Sequence, residues 1–69
     1  MGTVFSNNLR ALRKEKSLKQ SELGLALKLT QRKISYLESG KIEPALSDLC
    51  AIADFFDVSI DFLLGRKDY

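Results

Sequence analysis

Gln31, Arg32, Lys33, Ser35 and Tyr36 bring amide, cationic and hydroxyl side chains together within six consecutive positions. A glutamine amide can pair bidentately with N6 and N7 of adenine, and an arginine guanidinium with O6 and N7 of guanine. Each such pair is worth ~1–3 kcal/mol of discrimination between bases. Tyr36, a turn further on, can press its ring on a thymine methyl or hydrogen-bond a phosphate. Gln31-Arg32-Lys33 also falls where a helix should begin. A helix N-terminus carries partial positive charge and favours Asp or Glu, so each cation there costs from a few tenths up to ~1 kcal/mol. Positive charge gathered at a positive helix end suits an anionic partner. The duller alternative is an exposed helix that happens to be basic.

These residues need an elbow to hold them outward, and the apolar spacing supplies one. The periodicity predicts five short helices and no strands. The first runs from Val4 to about Lys16, with Thr3 as candidate N-cap and Phe5, Leu9 and Leu12 inward. The second covers Gln20 to Leu27, turning Leu23 and Leu27 inward on either side of the small residues Gly24 and Ala26. Thr30 caps the third, Gln31 to Glu38, which Gly40 ends. Pro44 then forbids continuation of that helix. The fourth, Leu46 to Phe56, buries Leu49, Ile52, Ala53 and Phe56, and Ser59 caps a fifth, Ile60 to Leu64, closed by Gly65. Only Lys28-Leu29-Thr30 joins the second and third helices, which forces a tight, angled corner. With Leu23, Leu27, Leu29, Ile34 and Leu37 inside it, Gln31, Arg32, Ser35 and Tyr36 form one outward stripe.

Composition narrows the function. The 69 residues make one small all-α domain, 1–69, which buries only ~60% of its unfolded surface. At 45% hydrophobic and 29% charged it is an ordinary globular composition. No apolar run approaches the ~20 residues of a membrane helix, and no leader pattern opens the chain. A single cysteine excludes an internal disulfide framework and fits a cytoplasmic setting, nucleoid-associated when bound to DNA. With no histidine there is no zinc site of the usual kind and no imidazole acid or base. No nucleophile–base pair, phosphate loop or metal cluster suggests an enzyme, a cofactor or a small-molecule ligand. The net charge is only +2, yet residues 1–41 carry +6 and residues 42–69 carry −4. A basic half on an acidic body is the footprint of a polyanion binder. Two ordinary solvated faces are the alternative.

Residues 18–44, LKQSELGLALKLTQRKISYLESGKIEP, resemble the core of the lambda-repressor-like helix-turn-helix family of Cro/repressor, or XRE, type. Leu9-Arg10-Ala11-Leu12-Arg13 resembles that family's first helix, and ADFFDVSIDFLLG, residues 53–65, its fourth and fifth. The resemblance implies a compact five-helix DNA-binding domain with the helix-turn-helix in helices 2 and 3. It implies a transcriptional regulator, a repressor by expectation, acting as a homodimer on double-stranded DNA of pseudo-palindromic sequence. It puts Gln31, Arg32, Ser35 and Tyr36 on base-reading positions. Lys19, Gln20, Thr30, Lys33, Ser39, Gly40 and Lys41 fall on positions that meet the sugar-phosphate backbone. Arg13 and Glu38 fall where an ion pair often links helices 1 and 3. Three residues depart from the family pattern. Lys28 stands where glycine is common, so a left-handed backbone there costs ~1–2 kcal/mol. Lys19 replaces a capping side chain worth ~1 kcal/mol. Gly24 replaces an alanine, weakening helix 2 by ~1 kcal/mol. The ending resembles the point where longer repressors continue into a further domain.

Cys50 is expected as a small packed hydrophobe beside Leu49 and Ala53. Phe55, Val58, Ile60 and Phe62 are the candidate subunit interface, about half of them expected in the core and the rest exposed. Tyr69 would pack there or stay disordered. A rival function is an antitoxin-like or partner-docking helical module using the same apolar region without specific DNA.

Overall fold

Local chemistry sets the ends of the helices in the computed structural model of the protein, which describes residues 3–68. Among these residues the elements are α1 (Thr3–Glu15), α2 (Gln20–Leu27), α3 (Gln31–Ser39), α4 (Leu46–Phe56) and α5 (Ile60–Leu63). The Thr30 hydroxyl accepts from the Lys33 N–H at 3.0 Å to start α3. The Ser59 hydroxyl accepts from the Phe62 N–H at 2.9 Å to start α5. Where no capping side chain precedes the helix, a carboxylate three residues on reaches back instead. Glu22 Oε1 accepts from the Lys19 N–H at 2.7 Å, and Asp48 Oδ2 from the Ala45 N–H at 3.0 Å.

Boundaries shift slightly from the periodicity. Thr3 is the first helical residue of α1 rather than its cap, and the helix closes at Glu15 because Ser17, at φ 58°, reverses the chain. Gly40, at φ 78°, ends α3 after Ser39, and α5 stops at Leu63. Lys28 does adopt the left-handed conformation, φ 60° and ψ 37°, so the turn keeps its geometry without glycine. Gly24 has a distinct role. A Cβ there would lie 2.8 Å from the carbonyl oxygen of Leu29, so its absence lets the turn backbone close onto α2.

Phe5, Leu9, Leu23, Ile34, Leu37, Ile52, Ala53, Phe56 and Leu63 form the buried core. Leu12, Leu18, Leu27, Leu29, Ile42, Leu49, Val58 and Ile60 pack around it. Long-range polar bonds fix α1 against its neighbours. The Ser6 hydroxyl donates to the Leu37 carbonyl at 2.7 Å, and the Asn8 amide donates to the carbonyls of Phe62 and Leu63 at 3.0 and 3.1 Å. Cys50 corrects the expectation: it is exposed, because Leu46, Cys50 and Asp54 recur at i, i+4 and i+8 on the outer stripe of α4. Tyr69 lies outside the described residues. No helix among them is long and apolar enough to cross a membrane.

Candidate nucleic-acid interface

The polar face begins from a buried ion pair. Arg13, on α1, sends Nε to Glu38 Oε2 at 2.5 Å and Nη2 to Oε1 at 2.9 Å. Its Nη1 donates to the Leu18 carbonyl at 2.8 Å, so each guanidinium nitrogen donates one hydrogen bond. The two side chains are only 11% and 4% exposed. The hydrogen bonds to Glu38 raise the pKa of Arg13 above its ordinary value; burial opposes this and the Glu38 charge adds to it. Glu38 Oε1 takes a further bond, from Gln20 Nε2 at 3.2 Å.

Gln20 then passes the constraint outward. Its Oε1 accepts from Gln31 Nε2 at 2.8 Å. That bond leaves Gln31 with its carbonyl oxygen and a second N–H for another partner. Gln31 and Arg32 are exposed, while Ser35 and Tyr36 are half-buried on the same stripe. The Lys41 ammonium lies 4.8 Å from the centroid of the Tyr36 ring, a cation–π contact that ties the loop after α3 to the stripe. Ser39 Oγ donates to the Tyr36 carbonyl at 3.2 Å, and the Lys41 N–H to the same oxygen at 3.0 Å.

Two shallow hollows flank Gln20. A wide one of about 630 Å³ is lined by Arg13, Lys19, Gln20, Ser21 and Gln31. A smaller one of about 230 Å³ is bordered by Arg10, Lys14, Ser35 and Ser39 above the Arg13–Glu38 pair. Cationic side chains from α1 and from the start of α2 thus stand beside the α3 stripe. Arg10, Lys14 and Ser21 join the site without being expected from the α3 stripe. A signal for two of them was present: Arg10, Arg13 and Lys14 sit at i, i+3 and i+4 on one face of α1. Arg10 Nη2 also donates to the Glu38 carbonyl at 3.1 Å, near the end of α3.

Residues 9–63 match the family HTH_3, described as helix-turn-helix. The chain belongs to the helix-turn-helix family. It is 38% identical over 61 residues to an uncharacterized HTH-type transcriptional regulator, YqaE, of Bacillus subtilis (strain 168), covering 88% of this chain and 53% of that protein. It is 39% identical over 64 residues to the HTH-type transcriptional activator BcrR of Enterococcus faecalis, covering 93% of this chain and 31% of that one. This helix-turn-helix chain therefore spans about half, or less, of the length of the curated relatives it matches. Among solved structures it is similar to the P22 c2 repressor crystallised with synthetic operator 9T, with a TM-score of 0.84 and 28% identity. The match covers 91% of this chain and 96% of that one. The five-helix, all-α, lambda-repressor-like architecture follows from that likeness and from the elements themselves. Both of these relatives are named as HTH-type transcriptional regulators or activators.

Some of the expected residues also have partners within the chain. Lys33, expected against the backbone of a nucleic acid, has its ammonium 3.2 Å from Asp48 Oδ2 at the start of α4, an intramolecular partner that helical spacing does not reveal. The Thr30 hydroxyl is engaged in capping α3. The apolar group divides by burial. Val58 and Ile60 pack against the core, whereas Phe55 is 38% exposed and meets the Phe56 ring edge-on at 4.9 Å. Phe62 is half-buried on α5.

Proposed function

We propose that this chain is a sequence-specific, double-stranded DNA-binding transcription regulator that reads the major groove with α3. The observation that carries the proposal is the braced start of that helix: Gln31 is exposed yet held by Gln20 beside a basic rim. A side chain whose rotamer is already fixed loses less entropy on binding and discriminates more sharply. The free carbonyl oxygen and N–H of Gln31 match adenine N6 and N7. Arg32, also exposed, is suited to guanine O6 and N7, and Ser35 and Tyr36 complete the base-facing stripe. Lys19, Gln20, Thr30, Ser39, Gly40 and Lys41 would make the backbone contacts that set the register. The likeness to a repressor bound to operator DNA supports the same docking for this chain.

One recognition helix reads too few base pairs to select a genomic site. A homodimer on a pseudo-palindrome, with half-sites ~34–36 Å apart, doubles the contacts. Phe55, 38% exposed, offers an apolar side chain for a subunit contact. Selection of bound sequences from a random duplex pool should return a two-fold-related site. Arg32→Ala is then titrated on that site and on single-base variants. A loss of ~1–3 kcal/mol confined to one base position supports base reading. An equal loss on every sequence makes Arg32 a phosphate clamp and overturns its assignment.

A further inference from the structure

The first turn of α3 carries two cations, but they are not equivalent. Arg32 is exposed, and no intramolecular ion pair is recorded for it among the described residues. Lys33 is paired. Its ammonium lies 3.2 Å from Asp48 Oδ2, and the same oxygen accepts the Ala45 N–H at 3.0 Å. The Asp48 side chain is only 6% exposed, whereas that of Lys33 is 37% exposed. Asp48 is therefore the fixed member, anchored at the start of α4, and Lys33 the flexible one reaching towards it.

We infer that Asp48 is a positioning residue of the interface: it holds the Lys33 ammonium away from the DNA backbone. The inference rests on the DNA-binding reading above. If Lys33 swung to a phosphate, the 6% exposed carboxylate of Asp48 would lose its cation, a cost that the 37% exposure of Lys33 reduces but does not remove. A phosphate contact made by lysine is sequence-independent, and its strength falls with salt through counterion release. Asp48 thus removes one such contact per subunit, so less of the affinity comes from attraction common to all DNA. The same pairing neutralises a cation at the positive end of α3, where it is otherwise unfavourable.

The test compares the intact chain with Lys33→Met, Asp48→Asn and the double variant on one selected duplex and one scrambled duplex. Affinity is measured at KCl concentrations from about 50 to about 200 mM, a range over which counterion release is readily resolved. Asp48→Asn keeps an oxygen for the Ala45 N–H but releases Lys33. Its log K against log[salt] line should steepen by about 0.9 per subunit bound, about a 3.5-fold greater loss across the range. The steepening should be the same on both duplexes. Lys33→Met alone should leave the slope of the parent chain unchanged, and the double variant should return to that slope. That last arm separates release of Lys33 from simple loss of a negative charge. An unchanged slope for Asp48→Asn, or a shallower one for Lys33→Met, overturns the inference. Should Asp48→Asn fail to fold, Lys33→Met decides alone by the same criterion. Failure of the parent chain to bind any duplex overturns the functional reading itself, a different and recognisable outcome.

Discussion

The side-chain amide of Gln31 donates to Oε1 of Gln20 at 2.8 Å, joining the first residue of α3 to the first residue of α2. Gln20 is itself bonded to Glu38, and Glu38 to Arg13. One polar chain therefore runs from a nearly buried guanidinium on α1 to an exposed amide on α3. Orientation set inside the domain is thus passed by hydrogen bonds to the surface.

Gln20→Ala cuts that chain at the step nearest the surface. The fold should survive, because Glu38 keeps both bonds from Arg13. Base discrimination should fall by ~1 kcal/mol at the single position that Gln31 faces, as its rotamer is freed. Titration on duplexes varied at each base in turn checks this. Unchanged discrimination at every position would remove the brace from the account.

Glu38→Ala strikes the other end. It strands the Arg13 guanidinium, 11% exposed, without its carboxylate, and a broken buried pair costs about 3–5 kcal/mol. A domain of this size has a total stability of that order. Urea titration of the variant should find most of the cooperative transition lost. The pKa of Arg13 is raised on folding, so its contribution is fully present below its unfolded value and fades only as pH climbs through the higher folded one. Between neutral and moderately alkaline pH, the titration of Arg13 should leave the parent chain's urea midpoint unmoved.

Lys28→Gly should stabilise. Lys28 occupies φ 60°, ψ 37° at the corner between α2 and α3, a conformation that costs a side-chain-bearing residue ~1–2 kcal/mol and glycine little. Part of that gain is returned as entropy of the unfolded chain. A net gain of ~1 kcal/mol raises the melting temperature by about 4–8 °C in a domain of this length. A fall in the midpoint measured by circular dichroism would mean that Lys28 makes compensating contacts.

Phe55→Ser addresses the proposed homodimer. The edge-on contact with Phe56 is worth ~0.5–1.5 kcal/mol, so the monomer should lose about that much stability. Sedimentation equilibrium should find self-association weakened well beyond that loss, and binding to a two-half-site duplex less cooperative. Equal association by both proteins would move the subunit contact elsewhere.

The elements were open to prediction because their signals are local. Leu9, Leu23, Ile34, Leu37 and Ile52 mark inner faces by spacing alone, and Thr30, Ser59, Gly40 and Gly65 mark helix ends by their own backbone and hydroxyl chemistry. The outward stripe of Gln31, Arg32, Ser35 and Tyr36 follows once Ile34 and Leu37 face inward. Cys50 lies on the outer stripe of α4 with Leu46 and Asp54, so its spacing, rather than its apolar character, was the signal to follow.

What the sequence determined by itself was therefore the helices, their apolar faces and the cationic start of α3. All of these depend on residues within about a turn of one another. The tertiary structure decided which polar groups meet. Lys33 pairs with Asp48 and Gln20 holds Gln31, while Arg10 and Lys14 come to border the hollow beside Ser35. Each of these contacts joins different helices, and its partners are set by how those helices cross. The core packs in one arrangement, and that arrangement gives each flexible polar side chain its neighbour.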